Sequence, residues 1–141
     1  MKIIFSRQDN TYIYFFVTSF CILVYAIATL LMYGDSTLII NVTGRNIPLN
    51  HFEISILFKI AYLVLALGYF VAQRLRFNLN PSLTKAHTWI TIGTVFINAL
   101  VMITLPRPLA ENISLWLIGI TLLAQPLFFI NLAIGISKRE R

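Results

Sequence analysis

The ionisable residues best placed for chemistry cluster where a polar stretch, Asn46 to Glu53, runs into an apolar segment. His51 and Glu53 stand at the edge of that segment, and Lys59 lies inside it. On a helix, His51, Ser55 and Lys59 are spaced i, i+4, i+8 and form one polar stripe, with Tyr62 slightly round from it. Glu53 points well away from Lys59, because six residues carry the chain about 240° further round. These two therefore make no natural ion pair within the helix. A lysine inside a span faces a polar pocket or another helix, or snorkels its ammonium to the surface. His51 offers a neutral imidazole on a rigid helix, which is the donor that haem iron takes as an axial ligand. The same residue also suits an ordinary interfacial position.

Other site chemistries find no residues. His87 lies beyond a full span from His51, so the two cannot share a metal, and a helix-borne two-histidine zinc site is absent. No Ser/His/Asp or Cys/His arrangement, glycine-rich phosphate loop or H-E-x-x-H motif occurs. The one cysteine, Cys21, excludes an internal disulfide and a cysteine cage, and reads as a small packing residue.

The elements that position these residues follow from composition. Of 141 residues, 58% are hydrophobic and 11% charged, and mean hydropathy is +0.81. A soluble domain carries about 25% charged residues. The apolar residues fall in four blocks, at about 12–33, 52–72, 88–105 and 115–136, which predicts four transmembrane helices in one domain. The first block is about 33 Å long as a helix, against a hydrocarbon core of about 30 Å. It is too long for a cleaved signal and is expected to stay as a helix. The fold class is therefore an all-α membrane protein with short loops. The first loop holds a β-branched run from Thr37 to Thr43, expected to be extended, and Gly44 and Pro48 exclude a helix there. The third block is the most polar, with Thr91, Gly93, Thr94, Asn98 and Thr104, and suits helix–helix contact. In the fourth, Gln125-Pro126 predicts a kink.

The net charge of +6 does not point to nucleic acid, because the basic residues flank the apolar blocks. Lys2, Arg7, Arg74, Arg76, Lys85, Lys138, Arg139 and Arg141 fall on one side, against Arg45 and Arg107 on the other. The positive-inside rule places both termini in the cytoplasm and His51, Glu53 and Arg107 near the outer surface. The expected partners are the lipid bilayer and either further copies of the chain or other membrane subunits.

A longer pattern bears on the chemistry. The run Tyr33 to Val42 followed by Asn50-His-Phe-Glu53 resembles the stretch between the ninth and tenth helices of haem-copper oxidase subunit I. Ser36, Leu38, Ile40, His51 and Phe52 match that stretch without a gap. Leu79-Asn80 and Lys85-Ala-His87 resemble the approach to that family's eleventh helix. Gly93 and Asn98 resemble its G-x-N segment, Pro106-Arg107 its M-P-R-R turn, and the tail from Ser137 to Glu140 its S-K-R-E end. The resemblance covers nearly the whole chain, as the last four of twelve helices, and implies a bacterial inner-membrane setting in the respiratory chain. It implies haem held by His51, with Arg107 as partner to a haem propionate. It also departs from the family. Glu53 stands where the second haem-ligating histidine belongs, and Thr43-Gly-Arg-Asn46 replaces H-D-T-Y. Arg107-Pro108 keeps half of the arginine pair, and the copper-bearing helices have no counterpart. The resemblance thus implies a respiratory accessory or haem-associated protein without complete oxygen-reducing chemistry. The residues alone equally allow a cofactor-free structural subunit that packs on partners through its third helix.

The charge asymmetry generates a direct prediction. Reporter tags at both termini should read cytoplasmic, and a cysteine in Arg107→Cys should react with an impermeant thiol reagent added outside. Labelling from the cytoplasmic face would overturn the orientation.

Overall fold

A computed structural model describes residues 10–34, 37–42 and 45–138. Ser36, Thr43, Gly44 and the flanking residues Lys2, Arg7, Arg139, Glu140 and Arg141 lie outside the described residues. The elements run α1 (Thr11–Tyr33), β1 (Thr37–Val42), β2 (Arg45–Asn50), α2 (His51–Arg74), α3 (Pro81–Thr104) and α4 (Arg107–Ser137). All four helices are long and apolar enough to cross a membrane. Their outward faces carry large apolar side chains such as Leu31, Trp116 and Leu123, the last 78% exposed. Water would not tolerate such continuous apolar surface on all sides, whereas lipid tails would. The chain is a multi-pass integral membrane protein.

The helix starts are set by local chemistry that hydropathy does not register. Asn50 caps α2, its Oδ1 accepting from the Phe52 N–H at 2.8 Å. Asn80 caps α3 by accepting from the Ser82 N–H at 3.0 Å, and Pro81 fills the first helical position, where no N–H is needed. As a result α3 begins at Pro81 rather than near residue 88, and only residues 75–80 join it to α2. Pro106 and Pro108 start α4 in the same way, so that helix begins at Arg107 rather than near residue 115. The stretch expected as a third loop is helix, and Leu105 and Pro106 alone make the turn. At 31 residues α4 is about 46 Å long, and it stays helical on both sides of Pro126.

In the first loop, Thr37–Val42 is extended as expected, but it pairs with a second strand that propensity did not suggest. The two strands are antiparallel, in register from Thr37↔Asn50 to Val42↔Arg45, with Pro48 opposite Ile39. Proline is tolerated because each strand of a two-stranded ribbon is an edge. β2 leads directly into His51, so the ribbon stands over the start of α2.

The bundle consists of two helical hairpins. α1 packs chiefly on α2, and α3 on α4. They meet through Phe15, Tyr62, Tyr69, His87 and Phe128. The close approach needs Gly68, where a Cβ would lie 2.6 Å from Phe128 Cζ. Thr84, His87, Thr91 and Thr94 recur at helical spacing on α3 and are all buried. Thr91 and Thr94 of the polar third helix are therefore turned into its own bundle, while Thr104 is exposed.

Asn131, on α4, ties the α2–α3 connection to the bundle. Its Oδ1 accepts from the Asn80 N–H at 2.7 Å, and its Nδ2 donates to Thr84 Oγ1 at 2.8 Å. Next to it, a Cβ at Gly135 would fall 2.7 Å from Leu79 Cδ2. Interhelical hydrogen bonds in membrane bundles contribute about 0.6–2 kcal/mol each. Asn131→Leu should therefore lower unfolding stability in detergent by about 1–3 kcal/mol, read from denaturant titration. An unchanged midpoint would show that the tie contributes nothing.

Candidate functional site

Two groups of polar residues lie inside the bundle, and they differ in whether their hydrogen bonds are made. The first surrounds His87, whose side chain is fully buried. Its Nδ1 lies 2.9 Å from Tyr69 Oη, and its Nε2 lies 3.3 Å from Gln125 Oε1. Gln125 Nε2 donates to the Thr121 carbonyl at 2.7 Å, which turns Oε1 toward the histidine. Nε2 of His87 therefore carries the hydrogen, and Nδ1 accepts from the tyrosine. The ring is stacked on Phe15, with centroids 5.5 Å apart, and tilted against Phe128. Both ring nitrogens are satisfied and both faces covered, so this histidine has no free position for a ligand. Its work is to join α2, α3 and α4.

The second group lines a cavity of about 260 Å³ between the hairpins, toward the β-ribbon end. Ile22, Ile54, Phe58 and Leu117 give it apolar walls, and Thr94 and Thr121, with hydroxyls 2.6 Å apart, stand where it approaches the His87 layer. Further polar residues line it, among them His51, Asn98, Glu111 and Ser114. Asn98 Oδ1 and Ser114 Oγ are buried without a hydrogen-bond partner. Neither Glu111 nor the His51 ring is hydrogen-bonded or ion-paired to another described residue. In a medium without water, each orphaned polar group costs free energy that a bound partner recovers.

The structure separates the residues singled out from sequence. His51 and Asn98 share the cavity wall. Ser55 joins them, its hydroxyl donating to the His51 carbonyl at 2.9 Å. Lys59 does not, because each i+4 step drifts by about 40° and the second leaves it about 80° from His51. It is half-buried, and its carbonyl accepts from the Ser19 hydroxyl at 3.0 Å. Glu53 and Arg107 are exposed, and neither lines the cavity. Glu111 and Ser114 were missed because residues 106–114 read as a loop; recognising Pro106 and Pro108 as a helix start would have put both on α4 at the level of His51. Among the described residues, no three His, Cys, Asp or Glu side chains lie together as a metal site.

No family model, curated protein or solved structure matches the chain.

The contrast between the two groups is testable by stability alone. His87→Leu removes a partner from both Tyr69 and Gln125 and should destabilise the detergent-solubilised protein by about 1–3 kcal/mol. Asn98→Leu removes an orphan and should leave stability unchanged or raised. A loss at Asn98 as large as that at His87 would mean that Asn98 is structural.

Proposed function

We propose that this chain is a membrane-embedded binding protein that takes a small molecule with a hydrogen-bonding head into the cavity between its two helical hairpins. One observation carries the reading: Asn98 Oδ1 and Ser114 Oγ are buried and unpartnered in the wall of a cavity that His51 and Glu111 also line. Polar groups inside a membrane bundle are costly and are found where ligands or ions pass. We place both termini in the cytoplasm, which the distribution of Lys and Arg supports, and the chain in a bacterial inner membrane, as the subunit I resemblance implies. The cavity then faces the outer leaflet.

The size of the cavity limits what it holds. Pockets for drug-sized molecules run from about 300 to 1,000 Å³, so 260 Å³ suits something smaller. Haem, which the subunit I resemblance implies, fits these residues poorly. His51 is available as an axial donor, but Arg107 stands off the wall, and the cavity presents the carboxylate of Glu111 where propionates need a cation. We therefore assign no haem chemistry and no oxygen reduction to the chain.

Cys21 is the sole cysteine, is exposed to a reagent and borders the cavity, so a ligand seated there shields one side of it. In nanodiscs, benzyl alcohol should slow alkylation of Cys21 by a small maleimide, and Ser114→Phe, which fills the cavity, should abolish that protection. Equal rates with and without the alcohol would overturn the binding reading and favour a cofactor-free structural subunit. An absorption spectrum tests haem separately. A Soret band in haem-supplemented protein that disappears in His51→Ala would overturn the exclusion of haem.

A further inference from the structure

The charge of the cavity wall narrows the ligand class. Among the described residues, Glu111 is the one acidic residue that lines it, and no lysine or arginine does. Arg107, one turn earlier on α4, is exposed and makes no ion pair with Glu111. Among the described residues, the wall therefore holds a carboxylate without a cation to answer it. The other unmet group beside it, Asn98 Oδ1, is also an acceptor. The hydroxyl of Ser114 and the ring of His51 can accept as well as donate. Taken together, the deficit in this cavity is of donors and of positive charge.

Aromatic residues complete the picture. Tyr25, Phe58 and Phe96 all contribute to the lining. Aromatic faces attract cations, most strongly where water is excluded. An ammonium group is the head that a carboxylate, an amide oxygen and aromatic rings recognise jointly, and Ile22, Ile54 and Leu117 suit an apolar body attached to it.

We propose that the cavity binds small apolar cations: an aromatic or short aliphatic body bearing a protonated amine, with Glu111 as counter-ion. This rests on the reading of the cavity as a ligand site and adds the charge of the ligand. Glu111 acts here as a binding residue, and no reaction on the ligand is implied. The inference also accounts for the mismatch with haem, since an acidic wall that suits an ammonium repels a propionate.

Three probes of similar shape and different charge test it: benzylammonium, its neutral isostere benzyl alcohol, and benzenesulfonate. Each is titrated against Cys21 alkylation in nanodiscs of zwitterionic lipid, with native protein, Glu111→Gln and Glu111→Asp. Comparing each probe with itself across the variants cancels its partition into lipid. Glu111→Gln should raise the half-protecting concentration of the cation about tenfold or more, equivalent to about 1.4 kcal/mol. It should leave the neutral isostere within about threefold, equivalent to about 0.7 kcal/mol, and Glu111→Asp should restore most of the cation's protection. If Glu111→Gln shifts cation and isostere equally, or neither, the charge inference is overturned while the ligand site stands. Protection by benzenesulfonate alone would overturn it in the same way. If none of the three protects Cys21 in any variant, the ligand site itself fails, and the inference with it.

Discussion

The arrangement of this bundle depends on one buried histidine. His87 is held by Tyr69 on α2 and Gln125 on α4, and pressed between Phe15 and Phe128. Lipid provides no hydrophobic force to push helices together, so packing and hydrogen bonding across helices must do it. The aromatic and imidazole rings fill the space between the hairpins at that level, and Gly68 lets α2 approach closely enough for Phe128 to enter. The Asn80–Asn131–Thr84 tie then fixes the short α2–α3 connection against α4. Both devices lie in the half of the molecule away from the β-ribbon.

The other half is built differently, and the difference carries the functional argument. The cavity lies where that polar and aromatic packing ends, just beyond the paired Thr94 and Thr121 hydroxyls. On one side of that pair His87, Tyr69 and Gln125 answer one another, and Thr91 Oγ1, one turn from His87 and off the cavity wall, is the one buried side-chain atom there without a partner among the described residues. On the other side Asn98 Oδ1 and Ser114 Oγ answer nothing in the chain. A bundle that satisfies His87, Gln125 and Asn131 so fully has no evident structural need for the unmet groups. Their cost is understood most simply if something outside the chain meets it.

Much of the fold was legible from residues alone. Four uncharged or nearly uncharged blocks gave four helices, because the bilayer imposes a length and an apolar composition that few other environments demand. Helix ends were less legible. Hydropathy ends where the side chains become polar, whereas α3 begins where Asn80 caps Pro81 and α4 begins between Pro106 and Pro108, without a side-chain cap. That difference hid Glu111 and Ser114, which lie in the polar first turns of α4. The inward face of α3 was readable in principle, since Thr84, His87, Thr91 and Thr94 share a helical stripe. Nothing in the sequence showed which helix that stripe would face. The stripe of His51, Ser55 and Lys59 was legible for its first two members and failed at the third, where helical drift carries Lys59 round and out of the wall. His51 and Asn98 were therefore recognisable as candidates, but the carboxylate opposite them came only from three-dimensional proximity.

Photolabelling offers the most direct test of the central claim, that a small apolar cation occupies the space between the hairpins. A benzylammonium probe bearing a diazirine on its aromatic ring, photolysed with the reconstituted protein, leaves adducts where it resides, and mass spectrometry reads their positions. Labels should concentrate on residues 18–25 of α1 and 111–121 of α4, on side chains that line the cavity, and should be suppressed by excess benzylammonium. Labels spread over the outward-facing residues Leu31, Leu57 and Leu123, with no suppression by the competitor, would contradict it.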